Sequence, residues 1–205
     1  MNSSIVSWLV DEVAQSVRVV IAEDEAIIRL DLKEILEAEG YQVVADTGRG
    51  DHAIELVVQH QPEVVILDVK MPGLDGLEAA KRIAATEDTA VVILTAFSQR
   101  DLVDRAIDAG ALAYLVKPYK REELVAAVEV ARARYREMRA LADQARTLTD
   151  RLEARKAIDR AKGILADEMD LAEIEAFRFI QQTAMTGRRS MAEVADEIVK
   201  GGLRP

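Results

Sequence analysis

The chain has 205 residues, of which 50% are hydrophobic and 31% charged, and its formal net charge is −10. This balance is typical of a globular protein, and the length allows one full core plus a smaller second unit. The absence of cysteine excludes disulfides and thiolate metal sites, which suits a cytoplasmic protein, and no apolar run approaches the roughly 18 residues of a membrane span. Residues 1–16 form an N-terminal extension, in which IVSWLV (5–10) is interpreted as part of a short amphipathic helix, not an export signal.

Strand and helix patterns alternate from residue 17 to about residue 140. Strict alternation requires right-handed crossovers, and it predicts a parallel sheet covered on both faces, a doubly wound α/β domain. Apolar β-branched runs predict five strands, at residues 17–22, 41–45, 63–67, 90–94 and 111–116. Apolar residues at three- and four-residue spacing predict the helices between them, at residues 26–40, 50–60, 76–86 and 100–110.

Polar residues stand where these strands end, which is where such sheets collect functional groups. They are Glu23 and Asp24 after the first strand, Asp68 after the third, Thr95 after the fourth and Lys117 after the fifth. Carboxylates so close together raise one another's pKa unless a cation neutralises them, and an all-oxygen cluster favours Mg²⁺. Asp68 can then attack a phosphoryl group, with the metal on one side and Lys117 and Thr95 on the other. We therefore interpret Asp68 as a phosphate acceptor.

The acidic pair, the acceptor loop LDVKMPGLDG, the strand end ILTA and the segment AYLVKPY have the order and spacing of a known family. Across residues 17–135 the chain resembles the receiver domain of a two-component response regulator. The resemblance implies a flavodoxin-like sheet of order 2-1-3-4-5. It also implies phosphorylation of Asp68 by a sensor histidine kinase, in a protein that is not an enzyme beyond slow self-dephosphorylation.

The same resemblance implies roles for individual residues. Asp24, Asp68 and the backbone carbonyl of Lys70 would hold Mg²⁺, with Glu23 acting through water where the family more often has aspartate. Thr95 and Tyr114 would form the switch that reports phosphorylation, although Tyr114 can also be read as half-buried core. The bond between Lys117 and Pro118 would be cis. A haloacid-dehalogenase-type phosphatase is disfavoured, because it needs a second acid where this chain has Lys70.

The last receiver helix is expected to continue as one long helix, since residues 122–166 contain no proline and a single glycine. Residues 136–150 are interpreted as a helical linker or short coiled coil. Its apolar seam spans about two heptads, fewer than a sustained coiled coil needs. The seam can pair two chains as a phosphorylation-dependent homodimer or pack on the protein's own surface, and the intramolecular or conditional arrangement is favoured. Its residues are Met138, Leu141, Ala145, Leu148 and Leu152.

The apolar spacing in residues 151–205 predicts a small bundle of three helices. The second helix is predicted to begin at Asp170, with Glu173 completing a capping box, and the third at Ser190 with Glu193. Gly163 costs roughly 1 kcal/mol relative to alanine in mid-helix, which indicates close approach of another backbone, either of the protein or of RNA.

A set of residues in this region matches a second known family: Arg155, Ile158, AKGIL at 161–165, Ala176, Phe177, Ala184, Met185, Arg189 and Ala195. On these residues the region resembles the ANTAR domain, the RNA-binding output of transcription antitermination regulators. The resemblance implies binding to paired hairpins with hexanucleotide loops in nascent leader transcripts, so that a terminator does not form.

The charge pattern is compatible with RNA binding, since residues 132–162 contain ten basic and five acidic side chains. Arg151, Arg155 and Lys162 lie within about 40° on a helix and predict a ridge for phosphates. Phe177 is expected in the core and Phe179 at the surface, so arginine planes are favoured for stacking on loop bases. The candidate RNA-binding residues are Arg151, Arg155, Lys156, Arg160, Lys162, Gly163, Arg178, Arg188 and Arg189.

Two other outputs stay open on the sequence. A helix-turn-helix would bind duplex DNA through a basic recognition helix, but the last helix, MAEVADEIVK, is mostly acidic. A module that docks on a protein partner is not excluded by any residue pattern.

Overall fold

The computed structural model describes residues 16–96 and 100–204. The predictions for the N-terminal extension, including a helix at residues 5–10, lie outside these residues. The chain divides into two compact units, of which the first ends at Met138 and the second begins at Arg139. None of the helices in the described ranges is long and apolar enough to cross a membrane.

The first unit alternates strands and helices as predicted, with ends that differ from the predicted ones by at most two residues. All strand pairs are parallel, and the order β2-β1-β3-β4-β5 confirms the doubly wound topology. The elements are β1 (Arg18–Ala22), α1 (Ala26–Ala38), β2 (Gln42–Thr47), α2 (Gly50–His60), β3 (Val64–Asp68), α3 (Gly76–Thr86), β4 (Ala90–Thr95), α4 (Arg100–Asp108), β5 (Ala113–Val116) and the start of α5 (Arg121–Met169).

The central strands are apolar at every position because helices cover both faces of the sheet. Every residue of β3 and β4 is buried. Leu32 and Leu36 of α1 pack with Leu124 and Val128 of α5 on one face, whereas α2, α3 and α4 cover the other face through side chains such as Ile83. This two-sided burial leaves the carboxyl edge of the sheet as the place for polar residues.

The second unit contains the later part of α5 and two further helices, α6 (Glu173–Gly187) and α7 (Met191–Val199). The three helices share an apolar core of Ala161, Leu165, Ala176, Ile180, Ala184, Val194, Ala195 and Ile198. The Ser190 hydroxyl accepts a hydrogen bond from the Glu193 backbone N–H, which confirms the predicted start of the third helix.

The predicted start of α6 at Asp170 is wrong. Asp170 has a φ of 54°, a left-handed conformation that belongs to the turn after α5 rather than to a helix N-cap. The helix begins at Glu173, and the Glu175 carboxylate accepts a hydrogen bond of 3.0 Å from the Ala172 backbone N–H. Glu175, not Glu173, therefore accepts the capping hydrogen bond at the start of α6.

Helix α5 runs without interruption from Arg121 to Met169, which confirms the long helix. The side chains of its apolar seam are exposed: Met138 is 55% exposed, and Leu141, Leu148 and Leu152 are each 59% exposed. Packing of the seam on the protein's own surface is therefore wrong for the described part of the chain. Two heptads of apolar residues remain available to a second helix.

Gly163 is exposed near the C-terminal end of α5, and within the described ranges no heavy atom outside its own stretch of the helix lies within 4 Å of the place where a Cβ would stand. Close approach by another part of the protein backbone, one of the two expectations for this glycine, is therefore wrong. Space for an external backbone remains.

Candidate functional site

The three predicted acids form one cluster at the carboxyl edge of the sheet. Parallel pairing sets Ala22 of β1 opposite Leu67 of β3, so the residues that follow, Glu23 and Asp68, end side by side. One carboxylate oxygen from each of Glu23, Asp24 and Asp68 lies within 4.8 Å of the others. Glu23 and Asp68 are buried, whereas Asp24 is exposed.

Lys117 closes this cluster from the end of β5. Its Nζ atom lies 2.6 Å from Oε2 of Glu23 and 3.2 Å from Oδ1 of Asp68. The Lys117–Pro118 peptide bond is cis, as expected. One ammonium among three carboxylates leaves a formal charge of −2, and that is the charge that a divalent cation balances.

The pKa values follow from burial and from this pairing. Burial raises the pKa of both Glu23 and Asp68, and Lys117 opposes the rise by hydrogen bonding and by its charge. Burial alone would lower the pKa of Lys117, but its hydrogen bond to Glu23 and the charge of Asp68 raise it overall. Lys117 therefore stays an ammonium group, and the carboxylates form an all-oxygen donor set that fits a hard cation such as Mg²⁺.

A cavity of about 290 Å³ opens onto the Asp68 carboxylate. Its lining includes Asp24, Asp68, Lys70, Thr95 and Lys117, five of the residues that the sequence assigned to the phosphorylation site. The structure thus gathers around one cavity five of the residues that the sequence predicts to hold a cation, accept a phosphoryl group and balance its charge.

The two residues assigned to the switch lie on neighbouring strands. Thr95 ends β4 and is 1% exposed, next to the cavity. Tyr114 pairs with Ile93 in the β4–β5 register and packs half-buried against the core on the α2 and α3 side. Their role as a switch stays a prediction.

Arg29 on α1 supports the acidic loop, and the sequence analysis missed it. Its Nη1 donates a hydrogen bond of 2.5 Å to the Glu23 carbonyl, and its Nε donates one of 3.0 Å to Asp46. The guanidinium thereby ties the end of β1 to the end of β2. No motif marks this residue, because the contact depends on how α1 packs beside the loop.

Gly76 is the last residue of the acceptor loop and the first residue of α3, and its position requires a glycine. A Cβ there would stand 1.8 Å from the backbone oxygen of Asp68. Only glycine lets α3 begin so close to Asp68, and this side of Asp68 is therefore held by backbone contact.

The basic ridge of the second unit is partly neutralised by acids. Lys162 forms ion pairs of 2.9 Å with Asp159 and 2.8 Å with Glu173, and its side chain is 19% exposed. Arg155 lies 4.0 Å from Asp159 and is largely exposed. In the described part of the chain Arg151 has no ion pair. Of the predicted ridge, Arg151 and Arg155 therefore present the more accessible charge.

The remaining candidate RNA-binding residues also differ in whether an acid pairs with their charge. Lys156 pairs with Glu153 at 2.8 Å, and Arg189 pairs with Glu197 at 2.7 Å. Arg178 and Arg188 are exposed and, within the described ranges, have no ion pair. Arg160 is exposed on α5, and its charge adds to the hydrogen bond from Lys156 that lowers the pKa of the Glu153 carboxyl.

The predicted placement of the two aromatic residues on α6 is wrong. Phe177 is 40% exposed, whereas Phe179 packs against the core. The reason is the position of the buried stripe, whose members are Ala176, Ile180 and Ala184. Phe179 borders this stripe one residue before Ile180, and Phe177 points about 100° away from Ala176.

Comparisons with known proteins agree with both halves of the chain. The family model of the response regulator receiver domain matches residues 19–129, and the family model of the ANTAR domain matches residues 146–199. The transcriptional regulatory protein PdtaR of Mycobacterium tuberculosis is 51% identical over 183 residues, which are 89% of each chain. The chemotaxis protein CheY of Bacillus subtilis is 36% identical over 112 residues, 54% of this chain and 93% of its own length.

A solved structure shows the same receiver fold. The signal receiver domain of the response regulator NarL from Mycobacterium tuberculosis has a TM-score of 0.55 and 32% identity, and the match covers 58% of this chain and 97% of that domain. The acidic cluster, the lysine and the sheet order thus agree with the sequence matches. The chain belongs to the response regulators and combines a receiver domain with a C-terminal ANTAR domain.

Proposed function

We propose that this chain is a cytoplasmic transcription antitermination regulator, in which phosphorylation of Asp68 by a sensor histidine kinase controls RNA binding by the ANTAR domain. The observation that carries the proposal is the cavity that brings Asp68, Lys117 and Thr95 together in a chain that also matches the ANTAR domain. We place the receiver at residues 17–135, a helical linker at 136–150 and the RNA-binding domain at 151–205.

The proposed phosphorylation is a single transfer. A carboxylate oxygen of Asp68 attacks the phosphorus of a phosphohistidine, so that a P–O bond forms while the P–N bond breaks and the imidazole leaves. The Lys117 ammonium balances negative charge on the phosphoryl oxygens, and the Thr95 hydroxyl donates a hydrogen bond to one of them. Asp68 is a stoichiometric acceptor that loses its phosphoryl group slowly, so we propose that the protein is not an enzyme.

Asp24, Asp68 and the Lys70 carbonyl would hold Mg²⁺, with Glu23 reached through water. The bound ion would supply positive charge that offsets the negative charge of the phosphoryl oxygens. The chain's own contribution is to hold three carboxylates within 4.8 Å, a geometry whose repulsion a cation relieves.

The proposed switch uses the two strands beyond the acceptor. A hydrogen bond from Thr95 to the phosphoryl group draws the end of β4 inward, and Tyr114 on β5 follows. Phosphorylation can shift the equilibrium only as far as it stabilises the active state more than the resting state. The output is binding to two hairpin loops in a leader transcript, which keeps a terminator from forming.

A phosphorylation-dependent homodimer is the second part of the proposal. The α5 seam is exposed over two heptads, which is too short for a permanent coiled coil. Pairing two chains through this seam would present two RNA-binding domains together, as two hairpins require. Duplex DNA and a protein partner are the competing outputs.

The test measures binding of labelled two-hairpin RNAs to the full chain, with and without a small phosphodonor and Mg²⁺. We expect binding that rises with phosphodonor in the wild type, does not respond in Asp68→Asn and weakens in Lys162→Ala. Arg151→Ala is the cleaner variant, because Arg151 has no ion pair in the described ranges whose loss would disturb the fold.

Competition with duplex DNA over a range of salt concentrations separates the outputs. Affinity for RNA should exceed affinity for duplex DNA at every salt concentration, with a slope that reports the number of phosphate contacts. Phosphorylation of Asp68 without RNA affinity in any state would contradict the antitermination function and leave a protein partner as the output.

A further inference from the structure

Helix α6 has an exposed face that no other part of the described chain covers. Five exposed residues lie within an arc of about 100°, and we call them the α6 outer face: Ile174, Phe177, Arg178, Gln181 and Met185. Ile174 is 62% exposed, Phe177 40% and Met185 74%. Three large apolar side chains on one face of a 15-residue helix are an unusual exposure that indicates a binding surface.

The charge of this face limits what can bind there. It contains no acidic residue, and within the described ranges the Arg178 guanidinium has no carboxylate partner. Arg188, directly after the helix, is likewise unpaired there. An unpaired arginine cation beside an aromatic ring and a glutamine amide suits a partner with anionic groups and flat polar rings. Unpaired nucleobases have these properties, since they stack on aromatic and guanidinium planes and hydrogen-bond through their edges.

The α6 outer face borders the basic ridge of α5. Glu173 of α6 contacts Lys162 of α5 at 2.8 Å, and Phe177 stands one helical turn beyond Glu173 on the same side of α6. Lys162 in turn shares its side of α5 with Arg151 and Arg155. A cationic strip and an apolar aromatic strip therefore lie next to each other in the second unit.

This arrangement separates two kinds of RNA contact. Contacts to phosphates position a nucleic acid without reading its sequence, whereas contacts to bases specify it. Arg151 and Arg155, the accessible cations of the ridge, are suited to phosphates, and the outer face offers a ring, a guanidinium and an amide suited to bases.

We propose that the α6 outer face contacts the unpaired bases of the hairpin loops and that Phe177 is a stacking platform for one of them. The inference rests on the proposed RNA-binding function and assigns the surface that reads the loops. It gives the exposed Phe177 a role, although the sequence alone placed this ring in the core.

The test compares the affinity of full-length variants for a two-hairpin RNA with hexanucleotide loops selected from a randomised pool. Phe177→Ala should weaken binding roughly 5- to 150-fold, the range for loss of one stacked base, without changing the salt dependence. Phe177→Trp should retain affinity, because the larger ring preserves the platform. Val199→Ala is the matched control, since Val199 is an apolar side chain on α7 with 41% exposure, and it should bind as the wild type does.

A second RNA, with both loops replaced by non-nucleotide linkers, isolates the contact. It should bind more weakly than the intact RNA, and Phe177→Ala should have no further effect on it, because the paired stems keep only the phosphate contacts. Arg151→Ala should weaken both RNAs similarly and reduce the salt slope by about one.

Three outcomes would overturn the inference. If the wild type binds the intact RNA and Phe177→Ala binds it equally well, the outer face is not the loop surface, while RNA binding itself stands. If Phe177→Ala changes the oligomeric state but not RNA affinity, the face is a protein contact. If no RNA binds in any phosphorylation state, both the inference and the proposed function fail.

Discussion

Nζ of Lys117 lies 2.6 Å from the Glu23 carboxylate and 3.2 Å from the Asp68 carboxylate, so the shorter contact is with the acid that is not the proposed acceptor. Glu23 is fully buried, and burial raises the pKa of its carboxyl. The lysine that should balance charge at Asp68 is therefore shared with a neighbour. The glutamate at position 23 restrains Lys117.

Glu23→Asp should speed phosphorylation of Asp68. Aspartate is shorter by one carbon–carbon bond, about 1.5 Å, which breaks the close contact and lets Lys117 turn toward Asp68. With a small phosphodonor and saturating Mg²⁺ we expect a rate roughly fivefold higher, equivalent to about 1 kcal/mol in the barrier. The measurement is a time course of phosphorylated protein by intact-mass spectrometry.

Glu25→Asp is the matched control for this variant, because Glu25 is an exposed acid on the same loop. Its rate should equal that of the wild type. A slower reaction in Glu23→Asp alone would mean that the glutamate assists the transfer and does not restrain it.

Lys117→Met should make the protein depend on divalent cations. Removing the ammonium changes the formal charge of the cluster from −2 to −3 and leaves buried carboxylates unpaired, which costs about 3–5 kcal/mol of unfolding free energy. Mg²⁺ should bind about tenfold more tightly than in the wild type, and the rise of Tm with added Mg²⁺ should be larger. Thermal unfolding at a series of Mg²⁺ concentrations measures both.

Lys120→Met serves as the control, since it removes an exposed lysine close to Lys117. It should show the wild-type dependence of Tm on Mg²⁺. Equal Mg²⁺ affinity in Lys117→Met and the wild type would argue that the cluster does not hold the ion.

Arg29→Lys should weaken Mg²⁺ binding with little change in stability. The guanidinium bonds the Glu23 carbonyl and Asp46 at once, and a lysine ammonium cannot reproduce this fork. Groups that orient metal ligands typically change affinity by about 10- to 100-fold, and we expect the lower end. Calorimetric titration with Mg²⁺ gives the affinity, and Lys33→Arg, near the same Asp46 at 3.9 Å, should leave it unchanged.

Tyr41→Phe should destabilise the receiver in a pH-dependent way. The Tyr41 hydroxyl donates a hydrogen bond of 2.6 Å to Glu129 of α5, and this bond is the main cause of the lowered pKa of Glu129. A lowered carboxyl pKa contributes stability above the ordinary value of 4.5 and loses it as the pH falls through the folded-state pKa. We expect a loss of about 1 kcal/mol at pH 7.

Urea unfolding at pH 7, 5 and 3 should show this difference shrink at the lowest pH. Tyr119→Phe provides the comparison, because within the described ranges the buried Tyr119 hydroxyl has no hydrogen-bond partner. Its effect should not depend on pH over this interval. A constant difference for Tyr41→Phe would mean that Glu129 does not carry the contact.

The sheet and the residues at its edge were predictable because strands that are buried on both faces accommodate charged residues mainly at their ends. An Asp at the end of β3 in a parallel sheet has to lie beside the end of β1, whichever side chains are present. The Glu23–Lys117 contact was not predictable in this way, since it depends on one extra methylene and on how far β5 lies from β1. The Arg29 contact depends on helix packing for the same reason.

The second unit shows where periodicity alone fails. Phe177 and Phe179 are about 160° apart on a helix, so the pattern required one inside and one outside without deciding which. Ala176 and Ile180 centre the buried stripe, and that choice belongs to packing against α5 and α7. The start of α6 was ambiguous for a related reason, because Glu173 and Glu175 both suit a first turn.

Leu148→Glu should prevent the proposed pairing of two chains through the α5 seam. Leu148 is 59% exposed near the middle of the seam, so a glutamate there costs the monomer little but places two like charges inside a paired helix interface. Ala140→Glu adds the same charge at an exposed position of α5 that faces away from the seam. Sedimentation analysis with phosphodonor and Mg²⁺ should show dimers for the wild type and Ala140→Glu and monomers for Leu148→Glu. Without phosphodonor all three should be mainly monomeric, because two heptads hold a pair only weakly. Dimers of Leu148→Glu would assign the pairing to another surface, and a wild type that stays monomeric after phosphorylation would remove the dimer from the mechanism.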